Sequence, residues 1–344
     1  MLSAPTIISF AFAALLLLFL ATRFSVDLGA TWDNIRHSNP LLFLLAVAVY
    51  YTTFLFRGAR WRLMLRNAGV AETAPLPSQV AAARLMLLGW FASSITWFRL
   101  GDAYRAYAYY EESGAPLART LGTILSERVM DVIIVFLLLV AGFFLLYLDP
   151  EIRPSGVFLQ VGLALVVASL AGLGVMQVFW KRIAHLLPAA IRSRYEAFHV
   201  GTMRSFRTFP LVMLLGLLGW LSEVGRLYLV VQATGLDVSV GLVAFVSVAS
   251  AILTAVPLTP GGLGIVETGI VGLLALALPK EQAISVALLD RSISYVSIII
   301  TGGIAYLYHR RVVARRTRVL PNDAPLLGAS LLPREESPKP SRKN

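Results

Sequence analysis

The 344-residue chain has no cysteine. That absence excludes disulfides, thiolate metal sites, iron–sulfur clusters and cysteine nucleophiles together. Its four histidines, His37, His185, His199 and His309, are scattered and form no zinc-peptidase pair. Its four lysines are followed by Arg182, Glu281, Pro340 and Asn344, so no Gly-Lys-Ser/Thr phosphate loop exists. ATP hydrolysis by that route is excluded, and no metal or cofactor site is expected. Charge is also scarce: Asp, Glu, Lys and Arg make up 14% of the residues, against about a quarter in ordinary soluble domains. No long polar stretch of mixed periodicity remains to build a large soluble catalytic domain.

What fills the chain is apolar. Hydrophobic residues make up 57%, with a mean hydropathy of +0.74. Apolar runs at residues 6–21, 40–56, 121–148, 157–179, 210–231 and 283–306 reach or approach the roughly 17 to 25 residues that a bilayer-spanning helix needs. Weaker or Gly-rich runs lie at 79–98, 240–256 and 262–278. The fold class is therefore an all-α polytopic membrane protein with about six to eight transmembrane helices. The first run has no basic segment before it and reads as a retained span rather than a cleaved signal.

The net charge of +11 would suggest nucleic acid in a soluble protein. Its distribution points elsewhere. Half of all Lys and Arg falls in three segments that flank apolar runs, residues 57–66, 181–207 and 310–318, the pattern of cytoplasmic loops and of anionic-headgroup contact. No nucleic-acid partner is expected. Placing these clusters inside puts both termini in the cytoplasm of a cell-membrane protein. It also forces residues 79–116 to begin and end inside, and 240–279 to begin and end outside. Each is then a re-entrant or broken hairpin. Residues 181–208 alternate basic and apolar and read as an interfacial helix.

The two hairpins share a register. Gly101 and Gly264 are 163 residues apart, and at that offset Pro116 meets Pro279, Glu127 meets Asp290, and Arg128 meets Arg291. With opposite orientation in the membrane, this is an inverted-topology repeat, the arrangement of many alternating-access transporters. The expected organisation is a first repeat over 1–148, a second over 149–311, and a Pro-rich, disordered cytoplasmic tail over 312–344.

The string Pro257-Leu-Thr-Pro260-Gly261-Gly262-Leu-Gly264-Ile-Val-Glu267 cannot continue a helix, so the backbone must open where protein or water satisfies it. A helix restarting after Gly264 would aim free N–H groups at an anion such as phosphate. Glu267, in its first turn, suits a cap carboxylate, a proton carrier or a counter-ion. Arg99, Gly101 and Asp102, with Arg105 beside them, mark the tip of the first hairpin, and Tyr104, Tyr107, Tyr109 and Tyr110 beyond it read as an interfacial belt. Glu127, Arg128 and Asp131 open one long span, and Asp290 and Arg291 lie inside the last. Charges at such depth cost at least about 2.5 to 3.5 kcal/mol each, so they should face one another or a wet pathway. One reading makes Arg128 and Arg291 symmetric phosphate ligands held by Glu127 and Asp290. The other makes the charges a structural ion-pair network. Glu223 and Arg226, at i and i+3, are expected to pair.

Taken in order, Arg57-Gly-Ala-Arg60-Trp61-Arg62, Arg99-Leu-Gly101-Asp102, Glu127-Arg128-Val-Met-Asp131 and the Pro-x-x-Pro-Gly-Gly-Leu-Gly-x-x-Glu string resemble the lysylphosphatidylglycerol synthase transmembrane family, also called the flippase-like domain family. The resemblance covers roughly residues 5–312. It implies a lipid-handling membrane domain, in some relatives a translocator of aminoacylated phospholipid or of an isoprenoid-linked partner. The larger synthases add a soluble aminoacyl-transferase domain, which this chain lacks, so aminoacyl transfer is not expected. The function expected is binding and translocation of an anionic lipid or lipid-linked headgroup between leaflets. The alternative is a membrane-embedded transferase, or a partner subunit of one, acting on a lipid-linked substrate.

Overall fold

The computed structural model describes residues 28–96, 100–147, 156–255 and 259–319. The first apolar run, Arg99, Pro257, the 149–155 connection and the tail beyond 319 lie outside the described residues. The described residues form twelve α-helices and no strand. In chain order these are α1 (Leu28–Arg36), α2 (Pro40–Asn67), α3 (Gln79–Ile95), α4 (Gly101–Ser113), α5 (Leu117–Tyr147), α6 (Val157–Leu186), α7 (Ala189–Ser205), α8 (Phe209–Ala233), α9 (Val240–Ala255), α10 (Ile265–Leu274), α11 (Lys280–Arg291) and α12 (Ser297–Val319).

Five stretches are long and apolar enough to cross a membrane: Pro40–Asn67, Leu117–Tyr147, Val157–Leu186, Ala189–Ala233 and Lys280–Ala314. The shorter apolar helices are Gln79–Ile95, Val240–Leu253 and Ile265–Leu274. With the spans this makes an all-α polytopic membrane protein. The last helix runs to Val319, so residues 312–319 are helical rather than part of a tail.

Local signals set the helix ends. Asn39 caps α2, its side chain accepting from the amides of Leu41 and Leu42, with Pro40 at the first helical position. Beyond the apolar stretch, α2 carries on through Arg57, Arg60, Arg62 and Arg66, because arginine favours helix and no proline intervenes before Pro75. Ser78 caps α3, and left-handed Gly114 closes α4.

Residues 79–116 form two packed helices, α3 and α4. A Cβ at Gly101 would run into the Gly89 carbonyl and the Ser93 hydroxyl, so these backbones meet only because the residue is glycine. In the second counterpart α9 leads to a short turn at Pro260–Gly262, then α10. Gly261, Gly262 and Gly264 all have positive φ, 60°, 72° and 85°, a conformation that L-residues avoid. The turn chemistry anticipated from the two prolines and three glycines is what breaks the helix there.

Residues 181–208 are divided. Lys181 and Arg182 finish α6, the chain turns at Leu187–Pro188, and α7 packs along the start of α5. There the Ser126 hydroxyl donates to the Thr202 carbonyl at 2.7 Å, and Thr202 and Ser205 are fully buried. α7 is thus docked on the bundle by its own small residues. The centre of the bundle is α2 against α8, flanked by α3, α5 and α9. α6 sits outside and exposes Val161, Leu163, Val167, Leu170 and Val178, an apolar face suited to lipid.

Candidate functional site

A cavity of about 430 Å³ lies where the two broken hairpins meet. Asp102 and Arg128 line it from the first half, and Gly261, Asp290 and Arg291 from the second. Asp131 of α5, Arg57 of α2, and Trp220, Glu223 and Arg226 of α8 complete its charged and aromatic wall. Residues far apart in sequence, on helices long enough to span a bilayer, thus converge on one polar space.

On the first side, Glu127 is fully buried and serves three arginines. Its carboxylate meets Arg60 at 3.2 Å, Arg105 at 3.0 Å and Arg128 at 3.3 Å. Asp131, one turn on, takes Arg60 at 2.7 Å, Arg57 at 3.5 Å, Arg128 at 3.4 Å and the Trp220 indole N–H at 3.2 Å. The i, i+4 spacing of the two carboxylates gives them one face of α5, and α2 presents Arg57 and Arg60 to it at i, i+3. Arg128 is 40% exposed and closes on Asp102 at the tip of the first hairpin, Nε to Oδ2 at 2.9 Å.

On the second side, the Arg226 guanidinium donates to Asp290 at 2.8 Å and to Glu223 at 2.7 Å. The expected Glu223–Arg226 pair is there. Arg291 does not share Asp290. It turns instead to Glu267 at 2.7 Å and to the Gly261 carbonyl at 2.9 Å. Glu267 has two duties, since its other oxygen accepts from the Gly264 amide at 2.6 Å and caps α10. Cap carboxylate and counter-ion are therefore both realised in one side chain. The symmetric scheme, with Glu127 holding Arg128 and Asp290 holding Arg291, is kept only in the first half.

A five-residue π-turn, Ser292–Val296, follows Arg291 directly. Such turns re-aim side chains within a helix and recur at functional sites. This one presents Tyr295, whose hydroxyl donates to the Ser94 carbonyl at 3.2 Å and whose ring lies against Gly261. Tyr295 thereby joins the tips of both hairpins, and the Arg291 guanidinium sits 4.9 Å above its ring.

Of the positions singled out from sequence, Asp102, Arg128, Asp131, Gly261, Asp290 and Arg291 line the cavity, with Glu127 and Glu267 directly behind as counter-ions. Gly101, Pro260, Gly262 and Gly264 shape the turns rather than the wall. Sequence reasoning placed Arg57 and Arg60 in a cytoplasmic basic cluster; they are instead 2% and 0% exposed. Their one sequence signal was the i, i+3 spacing continuing the Tyr50, Thr53, Phe54 face, which Arg62 and Arg66 leave. Arg105 was noted only as a loop neighbour, and Trp90, Trp220 and Tyr295 carried no signal. Of the tyrosines read as an interfacial belt, Tyr107 and Tyr110 are exposed and Tyr109 is buried, its hydroxyl donating to the Pro75 carbonyl.

A second polar cluster stands apart from the cavity. His309 of α12 is fully buried, with Nδ1 2.6 Å from Glu112 and Nε2 3.1 Å from Glu111. Both ring nitrogens thus face a carboxylate. Arg84 of α3 also reaches Glu112, at 2.6 Å. This cluster ties α12, α3 and the far end of α4 together. Among the described residues no group of His, Asp and Glu is arranged to hold a metal ion.

The fold and the cavity define a class: a polytopic helical membrane protein with paired charges buried among its spans around a central polar space. The lysylphosphatidylglycerol synthase TM region matches residues 6–302, and the chain belongs to that family. Similar curated proteins are archaeal. A UPF0104 membrane protein of Methanocaldococcus jannaschii is 26% identical over 230 residues, covering 65% of this chain and 96% of its own length. A second from that organism is 24% identical, covering 87% of this chain and 94% of itself. A UPF0104 membrane protein of Pyrococcus horikoshii is 25% identical, covering 82% and 93%.

Proposed function

We propose that this protein binds the phosphate-bearing headgroup of a membrane lipid, or of a lipid-linked precursor, in the central cavity and carries it between leaflets. The observation that supports this reading is the convergence of Arg57, Arg128, Arg226 and Arg291 on one cavity among membrane-spanning helices. Arginine offers a planar fork matched to phosphate. A space of about 430 Å³ is in the range of small-ligand pockets.

The cavity is bounded by a broken hairpin from each half. In the inverted-repeat reading these hairpins open to opposite sides, so exchanging which one packs closed would expose the headgroup to each leaflet in turn. The basic segments 181–207 and 310–318 remain the inward-facing anchors, with both termini cytoplasmic in a cell membrane. Anionic lipids are the partners this reading requires, and a membrane transferase that makes or consumes the lipid is a natural neighbour.

The test is reconstitution of the purified chain in liposomes with fluorescent phospholipids, scored by the fraction of label reached by an external quencher. Arg57→Gln and Arg128→Gln should each slow translocation at least tenfold while the protein stays monodisperse. Transport at the unaltered rate in both variants would overturn the reading.

A further inference from the structure

Resting on the phosphate reading above, we propose that Asp102 is a built-in competitor for the phosphate seat: it holds the Arg128 fork and yields it, turning to Arg105, when a phosphate group enters.

Every arginine described on the cavity wall is already answered by a carboxylate. Arg57 meets Asp131 at 3.5 Å, Arg128 meets Asp102 at 2.9 Å, Arg226 meets Asp290 at 2.8 Å and Arg291 meets Glu267 at 2.7 Å. The wall is therefore near charge balance, with Asp102, Asp131, Glu223 and Asp290 standing beside those arginines. Two anions on one guanidinium repel each other, so a phosphate takes a full fork only by displacing the carboxylate already on it.

The carboxylates differ in how easily they leave. Asp131 is buried and also holds Arg60 at 2.7 Å and the Trp220 indole at 3.2 Å. Asp290 is buried and also accepts from the Ser294 hydroxyl. Glu267 caps α10 through the Gly264 amide, so its departure would uncap a helix. Asp102 is placed otherwise: its side chain is 39% exposed and that of Arg128 40%, whereas the members of the other three pairs are 13% exposed or less. A second cation also stands ready, since buried Arg105, one turn along α4, lies 3.5 Å from Asp102 Oδ1. Released from Arg128, Asp102 keeps a counter-ion by a side-chain rotation, and no charge is stranded in the interior.

The fork that Asp102 holds suits phosphate. Arg128 presents Nε and Nη2 to the two Asp102 oxygens, at 2.9 Å and 3.2 Å, the two-pronged approach that a pair of phosphate oxygens also takes. Arg57 is its neighbour: Nη1 of Arg57 and Nη1 of Arg128 both lie within 3.5 Å of one oxygen, Asp131 Oδ2. The rings of Trp90 and Trp220 hold the Arg57 guanidinium in place, at 5.4 Å and 4.8 Å. A phosphate brings more oxygens than the carboxylate it replaces, so it can engage Arg128 and turn another oxygen toward Arg57. A carried headgroup must also leave, and a carboxylate waiting beside the fork takes over as it does.

The experiment titrates the full chain, purified in detergent, by calorimetry with short-chain phosphatidylglycerol and with glycerophosphoglycerol, the same headgroup without acyl chains. Asp102→Asn should bind the lipid at least fivefold tighter than the unaltered protein, because the competitor is gone, and Asp102→Ser should do the same. In an Arg128→Gln protein there is no fork to contest, so adding Asp102→Asn should move the affinity less than twofold. Unchanged or weaker binding in both Asp102 variants, with the thermal midpoint preserved, would overturn the competitor and leave lipid binding standing. Equal tightening in the Arg128→Gln background would also overturn it, by making the effect one of total cavity charge, and so would loss of the fold in both variants, which would make Asp102 a structural counter-ion. Tightening for glycerophosphoglycerol at the lipid's own affinity would uphold the competitor but make the natural ligand a free phosphate ester. No binding of either ligand to the unaltered protein or to Asp102→Asn would overturn the proposed function and the competitor with it.

Discussion

The two halves of the cavity use the same kinds of residue to opposite structural ends. In the first, Glu127 is sealed behind the wall and holds three arginines at once. In the second, no carboxylate is shared so widely: Asp290 and Glu223 divide Arg226, and Glu267 serves Arg291 and a helix cap. The turns differ in parallel. The first hairpin closes by contact of two glycine-flanked backbones, and the second by a left-handed glycine run. A sequence repeat that keeps residue types at one offset does not have to keep their partners, because each partner is supplied by a different third helix.

The sharpest way to break the comparison is to remove one carboxylate from each side. Glu127→Gln leaves Arg60, Arg105 and Arg128 short of their common counter-ion inside the protein and should cost about 3–5 kcal/mol, seen as a large drop in thermal midpoint and in monodisperse yield. Asp290→Asn leaves Arg226 with Glu223 at 2.7 Å and should cost about 1–3 kcal/mol. Equal losses in the same thermal assay would remove the distinction between a shared and a divided counter-ion.

The hairpins offer a second contrast. Gly101→Ala pushes a methyl into the Gly89 carbonyl and should destabilise by about 1–3 kcal/mol through overpacking. Gly264→Ala must hold φ near 85°, a cost of about 1–2 kcal/mol. Cysteine cross-linking of α3 to α4, and of α9 to α10, would show which hairpin each change loosens; a Gly101→Ala protein with an unaltered α3–α4 pair would refute the close-contact account.

The smallest effect is expected outside the cavity. His309→Gln removes the ring from a site where two carboxylates face it and should cost about 1–2 kcal/mol. The variant's thermal midpoint should fall measurably; a midpoint equal to that of the unaltered protein would show that this cluster does not tie α12 to α3 and α4.

Much of this was legible in the chain. Apolar run lengths announced the spans, and the prolines and glycines between 257 and 264 announced the break before α10. Glu127, Asp131, Asp290 and Arg291 announced themselves as charges where charge is expensive. Arg57 and Arg60 did not, because arginines just past an apolar run look the same whether they face water or turn back along the helix into the core. Nor was the exchange of partners visible, since Arg226 enters from α8 and has no counterpart at the 163-residue offset, where Leu63 stands.

The sequence by itself determined that the chain is a helical membrane protein, where its helices break and which few charges must be compensated. These follow from local costs: an unpaired backbone group or an isolated charge in an apolar medium is penalised whatever surrounds it. Only the tertiary structure decided which cation answers which carboxylate, that Tyr295 bridges both hairpin tips, and that charges from both halves converge on one cavity. Those outcomes depend on distances between helices remote in sequence, and electrostatic and packing energies are fixed by such distances, not by order along the chain.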